Sequence, residues 1–423
     1  MKFRQSSVVA WIVGVVLLCD AVSAIGTHYK SDRSQLLKEE YEPTFQNSSY
    51  FDNAEFALSS RERHFRQSKF FPLFTIIRFT NEVCRTSSEE HGICHTKTQC
   101  AAAGGLALGN CAQGLGVCCR FVVQCGAIIT QNGTSFQSPN YPSRFTPTDG
   151  SNVCQVRVRR PHNVCQLRLN FIALDIDGPV PAPTATNTAP NDAGACKTDS
   201  LAITASGGTV PNLCGNLNGQ HIYIDYGTSD TITLNLLMSG TVQRERVWNI
   251  EILTIPCLSV VRAPPGCLQY FTGISGQVQS FNFQGGTHLS NMDYSICVRP
   301  EDGMRFIDWA PCSPGDVRIS GSPATSPTMP MPCGAAATPI PDYLIIMGGV
   351  SYPMGTPTAA IPSGTSITDR FCDLTFPSAV TSAYVRSSVR PFILHFRTDS
   401  NEIAAANMDA SVGFCLRWQQ NPQ

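Results

Sequence analysis

The stretch that decides the fold is residues 125–154, CGAIITQNGTSFQSPNYPSRFTPTDGSNVC. A cysteine stands at each end, and between them a strand-like run ends in SPNYP at residues 138–142. Proline fixes the backbone angle φ, and asparagine tolerates left-handed backbone, so this string is typical of a tight turn. The stretch therefore predicts a β-strand followed by a sharp turn.

The features that follow this stretch come in a recognisable order. FIALDID at residues 171–177 precedes Cys196-Lys-Thr-Asp199, and then LCG at 213–215 precedes alternating strands that end at Cys257. This series resembles the CUB domain, an extracellular β-sandwich module in which SPNYP is the most recognisable string. The resemblance implies a CUB domain at residues 121–257, with disulfides Cys125–Cys154 and Cys196–Cys214.

Alternation of apolar and polar residues marks the strands of this module, because one face of such a strand is buried and the other is wet. The alternating runs are residues 156–158, 167–171, 222–226, 232–236 and 248–253. Residues 178–194, rich in proline and small residues, predict a long surface loop. Asn132-Gly133-Thr134 is a hairpin turn signal and a glycosylation acceptor at Asn132.

Residues 267–423 repeat this plan after a short proline-rich connector at 258–266. Cys267 and Cys297 stand thirty positions apart, where the first module has twenty-nine, and Cys333 and Cys372 correspond to its later cysteine pair. The repeat implies a CUB-like second module with disulfides Cys267–Cys297 and Cys333–Cys372. It departs from the family by carrying QVQSFNFQGG in place of SPNYP.

Two cysteines remain in each module: Cys165 starts a middle strand and Cys257 follows the last strand of the first module, whereas Cys312 ends a middle strand and Cys415 lies early in the last strand of the second. The end of one strand faces the beginning of its antiparallel neighbour, so these cysteines are predicted to meet. The expected disulfides are Cys165–Cys257 and Cys312–Cys415.

Six cysteines fall within residues 70–120, a segment too small to hold itself together by a hydrophobic core. The adjacent Cys118 and Cys119 must each reach a different earlier cysteine. The pattern resembles the clip domain of arthropod haemolymph proteases and their noncatalytic relatives. That resemblance implies the pairs Cys84–Cys118, Cys94–Cys111 and Cys100–Cys119.

The amino terminus indicates a secreted protein. Residues 1–24 combine basic residues, a short apolar run and a small-residue cleavage signal, as signal peptides do. Of 19 cysteines only Cys19 lies there, and an even number, eighteen, remains for disulfides in an oxidising compartment. Residues 25–69 predict a flexible leader with a glycosylation acceptor at Asn47, and no membrane span is expected after signal cleavage.

Length and composition agree with this organisation. A chain of 423 residues suggests two or three domains, and a charged fraction of 14% with a formal net charge of -1 offers no footprint for nucleic acid. The predicted fold class is all-β, with two tandem CUB-type antiparallel β-sandwiches, jelly-roll-like, behind a small clip-like domain. The whole order resembles a group of insect secreted CUB-domain-containing proteins.

The sequence gives no catalytic constellation. It has no HExxH zinc motif and no glycine-rich nucleophile loop of a serine protease. His288 and Ser290 stand close together near Gly285-Gly286, but among eight histidines and many serines this proximity is expected by chance. We therefore expect a protein that is not an enzyme and has no cofactor, with calcium as the single candidate.

Many CUB domains share a calcium site, and the resemblance implies where its ligands would stand. In the first module Asp177 and Asp199 match the acids, whereas Phe145 replaces the tyrosine and Gly240 the last acid. In the second module Asp342 and Asp399 match, Asp316 fits the early acid only loosely, and no tyrosine is identifiable. The alternative is that these aspartates are solvated or cap turns.

The function that we expect is binding of extracellular proteins, or of a glycan, through the loop ends or sheet faces of the CUB modules. A second hypothesis, suggested by the clip-like segment, is a noncatalytic regulator of an extracellular serine-protease cascade that binds clip-type proteases. A third is a structural component of cuticle or egg coat, which low charge and many disulfides would also suit.

Overall fold

The computed structural model describes residues 82–86, 91–147, 152–181, 192–239, 244–319, 342–353, 369–372, 376, 382–400 and 411–422. These residues belong to one compact unit. The predicted signal peptide, the leader with Asn47 and Cys333 lie outside the described residues. The fold is all-β as predicted, and the only α-helix in the described part of the chain is six residues long.

A disulfide-rich segment, residues 82–123, comes first. Its elements are β1 (Val83–Arg85), β2 (His91–His95), α1 (Lys97–Ala102), β3 (Leu106–Cys111) and β4 (Gly116–Val123). Its small core is formed by Cys100, Cys119 and Phe121, so sulfur supplies much of the packing. Three disulfides hold it, Cys84–Cys118, Cys94–Cys111 and Cys100–Cys119, the pairs implied by the clip resemblance.

This segment is continuous with the first sandwich. Strand β4 pairs in parallel with β6 (Thr134–Gln137) of the sandwich, so the two share one eight-stranded sheet. The imidazole of His91 also lies 3.1 Å from the buried carboxylate of Glu251. The boundary expected at residue 120 therefore falls inside a strand, because a turn at 124–127 leaves no linker between the two parts.

Besides β6, the strands of the first sandwich are β5 (Ile128–Ile129), β7 (Asn152–Arg159), β8 (Val164–Asp175), β9 (Asp199–Thr204), β10 (His221–Asp225), β11 (Thr231–Met238) and β12 (Val247–Pro256). They form two sheets. The shared sheet continues in the order β6-β12-β8-β10, and the other sheet has the order β5-β7-β11-β9. Phe136, Phe171 and Trp248 are buried completely between the sheets.

The strands of the second sandwich are β13 (Cys267–Phe271), β14 (Ser275–Gln279), β15 (Asp293–Val298), β16 (Phe306–Pro311), β17 (Val317–Arg318), β18 (Tyr343–Ile346), β19 (Val350–Pro353), β20 (Arg370–Phe371), β21 (Ser382–Ser387), β22 (Phe392–Arg397) and β23 (Gly413–Asn421). One sheet has the order β13-β15-β22-β18-β20. The other has the order β14-β23-β16-β21-β19, and β17 pairs with β23. Trp309, Phe396 and Phe414 lie in its core.

The two sandwiches have the same core topology. In each, the last strand lies between the second strand and the long middle strand, and the first strand pairs in parallel with the third. The sequence predicted antiparallel sandwiches, and these parallel pairs are the departure from that pattern. The second strand crosses to the opposite sheet, and so the first and third strands come to run side by side in one direction.

Five disulfides are described in the sandwiches, and they coincide with the pairs expected from the sequence. They are Cys125–Cys154, Cys165–Cys257, Cys196–Cys214, Cys267–Cys297 and Cys312–Cys415. Cys372 is also disulfide-bonded, and its expected partner Cys333 lies outside the described residues.

The second sandwich has its own version of the SPNYP turn. Ser138 exchanges two hydrogen bonds with the Trp248 backbone, since its N–H donates to the Trp248 carbonyl and its Oγ accepts from the Trp248 N–H at 3.2 Å. Ser280 makes the same two bonds with Phe414. Two positions later Asn140 and Asn282 both have left-handed backbone, with φ of 61° and 60°. The string SFNF at residues 280–283 therefore forms the same turn as SPNY at residues 138–141.

The sandwiches are docked against each other by β10 and β13. His221 is buried, and its Nε2 lies 2.9 Å from the carbonyl oxygen and 3.4 Å from the backbone nitrogen of Tyr270. Its ring packs on Tyr223 and Phe271. Desolvation, together with the nearby positive charge of Arg168, lowers the pKa of His221 to about 4.

Backbone contacts extend the docking on both sides of these strands. The Asn216 N–H donates to the Asn282 side chain at 2.9 Å, and the Gln220 amide donates to two carbonyls of the second sandwich. In the connector, Ala263 is buried and its N–H donates to Gln166 at 2.9 Å. The connector is thus packed on the first sandwich instead of acting as a free spacer.

Candidate functional site

Of the four aspartates singled out in the sequence, Asp199 and Asp342 lie at corresponding places, at the starts of the equivalent strands β9 and β18. Asp177 follows β8 and Asp199 begins β9 in the first sandwich, whereas Asp342 precedes β18 and Asp399 follows β22 in the second. Asp177 and Asp199 are joined directly, because the Asp177 N–H donates to Asp199 Oδ2 at 2.8 Å. The Asp399 N–H donates to Asp342 Oδ1 at 2.7 Å, and its counterpart in the first sandwich is the Ser239 N–H, which follows β11 and donates to Asp199 Oδ1 at 3.3 Å.

Asp199 is paired with an arginine inside the protein. The Nε of Arg246 lies 2.6 Å from Asp199 Oδ2 and its Nη2 lies 2.9 Å from Oδ1, a bidentate pair in which both side chains have no exposed area. Two buried charges in this geometry compensate each other, whereas either one alone would be strongly destabilising.

Two further arginines neutralise the neighbouring acids. Asp175 receives Nη2 of Arg144 at 2.5 Å on one carboxylate oxygen and Nη2 of Arg244 at 3.0 Å on the other. Arg244 also reaches Asp177, with 3.8 Å between Nη1 and Oδ1. Both arginines are about half exposed, so these outer pairs are screened by solvent and weaker than the buried one.

Phe145 holds the base of this cluster. Its backbone exchanges two hydrogen bonds with Arg246, at 3.0 and 2.8 Å, and its ring packs edge-on against Trp248. Phenylalanine stands at the position where the family has a tyrosine, and it offers no oxygen to a cation. Its role here is to fix the backbone of the buried arginine.

The residues of the first sandwich do not fit a calcium ion. Calcium needs six to eight oxygen ligands, several of them unneutralised carboxylates. Both oxygens of Asp199 are already bonded to Arg246, and both oxygens of Asp175 are bonded to Arg144 and Arg244. A calcium ion among these carboxylates would also lie close to a buried guanidinium of like charge.

In the second sandwich the acids meet a histidine. His288 is completely buried, and its Nε2 lies 2.8 Å from the carbonyl oxygen of Ile319 and 3.5 Å from Asp342 Oδ2. The backbone N–H of His288 donates to the Ser411 carbonyl, as the backbone N–H of Phe145 donates to the Arg246 carbonyl. His288 therefore occupies the position equivalent to Phe145. The sequence did not identify this position.

Ser290 has a different role from the one that its closeness to His288 suggests. Its N–H donates to the Gly194 carbonyl of the first sandwich at 2.9 Å, which places it in the contact between the sandwiches. The imidazole of His288 donates to a backbone carbonyl. The arrangement described here is thus structural.

Asp316 does not join Asp342. It lies beside Cys312 and Cys415, and these three side chains are the only group in the described part of the chain whose metal-ligating types converge. The two sulfurs are bonded to each other in a disulfide, so they cannot bind a metal as thiolates.

The strand register explains why Asp316 is misplaced. Val317 pairs with Phe414 as Leu174 pairs with Trp248, and the serine bonds identify Phe414 with Trp248. Asp316 therefore precedes this reference point by one residue, whereas Asp177 follows it by three. The loose alignment of Asp316 with the early acid was wrong.

Asn132 lies in the turn between β5 and β6. These strands belong to different sheets, so the turn is not the hairpin expected from Asn-Gly. Asn132 Oδ1 accepts the Thr254 N–H at 2.7 Å, and the hydroxyl of buried Thr134 donates to the Gln131 carbonyl. The side chain of Asn132 is half-buried.

Sequence reasoning missed Asp175 and the three arginines. A signal was present, because Arg244-Glu245-Arg246 immediately precedes the last strand, at the end of the sandwich where the acids lie. Basic residues there would have argued against a cation site. The pairing itself depends on the three-dimensional packing of distant segments.

The family comparison agrees with the topology. The model of the animal CUB domain matches residues 264–421, which span the second sandwich. The match lies in the repeat that lacks SPNYP, so residues 264–421 are similar to an animal CUB domain. Comparison with curated proteins gives no match.

Similar solved structures have low sequence identity. The CUB1-EGF-CUB2 domains of rat MASP-1 are 10% identical, with 70% of this chain and 99% of that chain covered and a TM-score of 0.23. The full extracellular region of zebrafish Gpr126/Adgrg6 is 11% identical, with 70% and 36% covered and a TM-score of 0.24. The MASP-1 CUB2 domain bound to Ca2+ is 19% identical, with 30% and 98% covered and a TM-score of 0.21. All three TM-scores are low, so the fold assignment rests on strand topology and the family match.

None of the helices in the described residues has the length and apolar character needed to cross a membrane.

Proposed function

We propose that this protein is a secreted, noncatalytic interaction protein that binds another extracellular protein. The observation that carries the proposal is the CUB domain match at residues 264–421, since CUB domains generally act as extracellular protein-interaction modules. The disulfides in both sandwiches support an oxidising, extracellular location. The hydrogen bonds that dock the two sandwiches on each other support a scaffold that presents both on one surface.

One sheet face has the chemistry of a binding surface. The outward side chains of β7 and β11 include Arg157, Arg159, Val153 and Leu237, which we call the arginine face. Val153 is 62% exposed and stands opposite Leu237, 39% exposed, in the strand register. Apolar side chains exposed side by side on a flat sheet mark a contact surface more often than isolated ones do.

The charge on this face indicates the partner. The outward positions of β7, β9 and β11 carry no carboxylate, and neither Arg157 nor Arg159 has a hydrogen-bonding or acidic partner among the described residues. Arginine is enriched at protein interfaces because its planar guanidinium binds carboxylates and is weakly hydrated. We therefore propose that the arginine face binds an acidic protein surface.

The test is capture of partners from extracellular fluid of the source animal with the full mature chain as bait. The double variant Arg157→Glu/Arg159→Glu reverses the charge of the arginine face. Arg390→Glu/Arg417→Glu is the matched control, because it removes two exposed arginines of the second sandwich. A protein that both the wild type and the control retain, and that the first variant loses, supports the proposal.

Other outcomes separate the remaining hypotheses. Retention of the same protein by the charge-reversed variant would contradict the arginine face as its docking surface. Loss of binding after glycosidase treatment of the fluid would indicate a glycan ligand. Recovery of the chain only in insoluble matrix would favour a structural component of cuticle or egg coat.

The disulfide-rich segment supports a second candidate, a regulator of a serine-protease cascade. It exposes apolar side chains out of proportion to its size, including Leu106 at 55% and Leu115 at 63%. A clip-type protease captured by the wild type, and lost by the variant Leu106→Asp/Leu115→Asp, would favour this function. Capture that is indifferent to these changes would contradict it.

A further inference from the structure

The guanidinium of Arg246 gathers oxygen atoms from several segments of the first sandwich. It donates to both carboxylate oxygens of Asp199, to the Ser239 carbonyl at 3.0 Å and to the Arg244 carbonyl at 2.7 Å. These oxygens come from the start of β9, the end of β11 and the approach to β12. One buried cation thus ties together three chain segments that adjoin the loop end.

The backbone completes the surroundings of the carboxylate. Asp199 also accepts the N–H of Asp177, which follows β8, at 2.8 Å and the N–H of Ser239 at 3.3 Å. Both oxygens are therefore occupied by donors of this chain. This is the arrangement that a bound metal ion would otherwise produce by drawing carboxylates and carbonyl oxygens together.

We propose that Arg246 is a built-in cation that replaces calcium in the first sandwich. It holds the ends of β8, β9, β11 and β12 in place permanently, so the loop end does not respond to calcium. With Arg144 and Arg244 on Asp175, the carboxylates of both Asp175 and Asp199 are already bonded to arginines of this chain. The inference goes beyond the proposed function and does not depend on which protein the arginine face binds.

Hydrogen–deuterium exchange on the full mature chain tests this inference directly. Exchange is compared in EGTA and in millimolar calcium chloride, and it is read in the peptides covering residues 137–147, 172–181, 192–201 and 244–248. We expect the same exchange rates in both conditions. Slower exchange of these peptides in calcium would overturn the proposal.

The variant Arg246→Met removes the cation and keeps much of the apolar volume. Its four peptides should exchange at least tenfold faster than in the wild type, because Asp199 is left buried without its partner. Arg386→Met is the matched control, since Arg386 makes a bidentate buried pair with Asp308 at 2.6 Å in the second sandwich. That variant should speed exchange near β16 and β21 and leave the four peptides unchanged.

A milder variant covers the case in which Arg246→Met does not fold. Arg246→Lys keeps the charge but cannot bond both oxygens of Asp199 and the two carbonyls in one plane. Its four peptides should still exchange several-fold faster than in the wild type. Wild-type exchange in either variant would show that Arg246 does not hold the loop end.

Discussion

Single polar atoms fix the turns of both sandwiches. The Oγ of Ser138 accepts the Trp248 N–H, and the Oγ of Ser280 accepts the Phe414 N–H, with both serines completely buried. Ser138→Ala or Ser280→Ala leaves a buried N–H without an acceptor, so each should lower the free energy of unfolding by about 1–3 kcal/mol. Urea denaturation of the full chain measures this change.

Ser259→Ala is the control for these two variants, since Ser259 lies between the exposed residues Leu258 and Val260 and its Oγ accepts only a long, solvent-exposed bond from the Val261 N–H, at 3.4 Å. It should change stability very little. Equal stability of Ser138→Ala and the control would show that the turn does not depend on this bond.

His221 makes stability depend on pH. Its pKa is lowered to about 4 in the folded protein by burial, whereas an unfolded histidine titrates near 6.5. The unfolded chain binds the proton more readily in this window, so stability is greatest above pH 6.5 and falls as the pH approaches 4. The contribution of His221 to this loss should be about 3 kcal/mol.

Urea denaturation at pH 7, 5.5 and 4 tests this prediction, with His221→Gln as the comparison. The glutamine can still donate to the Tyr270 carbonyl but does not titrate, so the variant should lose less stability on acidification than the wild type. Parallel pH profiles for the two proteins would contradict the assignment.

At this scale the sequence located the acids but misjudged their partners. Asp177 and Asp199 do lie together, because the end of β8 and the start of β9 meet at the same end of the sandwich. The CUB resemblance was enough to locate both positions in the sequence. Arg246 stands forty-seven positions from Asp199, and only the packing of β9 against the approach to β12 reveals that it enters the same space.

At the scale of the elements, the contribution of each disulfide to the free energy of unfolding should increase with the length of chain that the disulfide closes. Cys165–Cys257 closes a separation of 92 residues and Cys196–Cys214 one of 18. A chain-entropy model gives about 4.6 kcal/mol for the first and about 3.2 for the second. Replacing both cysteines of the first pair by alanine should therefore destabilise the chain more than replacing both of the second, as measured by thermal unfolding.

The opposite ranking would show that local packing, not restriction of the unfolded chain, decides these contributions. The parallel removal of Cys312–Cys415, with a separation of 103 residues, serves as the internal comparison. It should resemble the removal of Cys165–Cys257.

The strands of the first sandwich could be predicted well, because a half-buried strand must alternate. The five alternating runs all fall within strands β7, β8, β10, β11 and β12, apart from single end residues. Strand β4 could not be assigned to the sandwich, since its pairing with β6 joins two segments whose sequences resemble different families. The SFNF turn could not be recognised from the sequence. Only its serine and asparagine, which make the hydrogen bonds and adopt the left-handed backbone, are shared with SPNY, and the other two residues differ.

For the whole molecule, the main structural feature is the docking of the two sandwiches. Gly215 has a φ of +85°, and a Cβ atom there would lie 2.0 Å from Asn282 Oδ1 across the contact. Gly215→Ala should therefore loosen the docking and increase the radius of gyration measured by small-angle X-ray scattering.

Gly219→Ala is a matched control, because Gly219 also has a positive φ, +76°, but a Cβ there would meet no neighbour. The Gly219→Ala variant therefore has the same kind of backbone strain as Gly215→Ala but no steric clash with a neighbouring atom. If both variants keep the wild-type radius of gyration, the docking does not depend on this close approach.

The most direct test of the account is a disulfide map of the mature protein by mass spectrometry of nonreduced peptides. Two sandwiches of one topology predict closed sets of pairs: Cys125–Cys154, Cys165–Cys257 and Cys196–Cys214 in the first, and Cys267–Cys297, Cys312–Cys415 and Cys333–Cys372 in the second. Any disulfide between the sets, or free thiols at these positions, would contradict the duplicated sandwich.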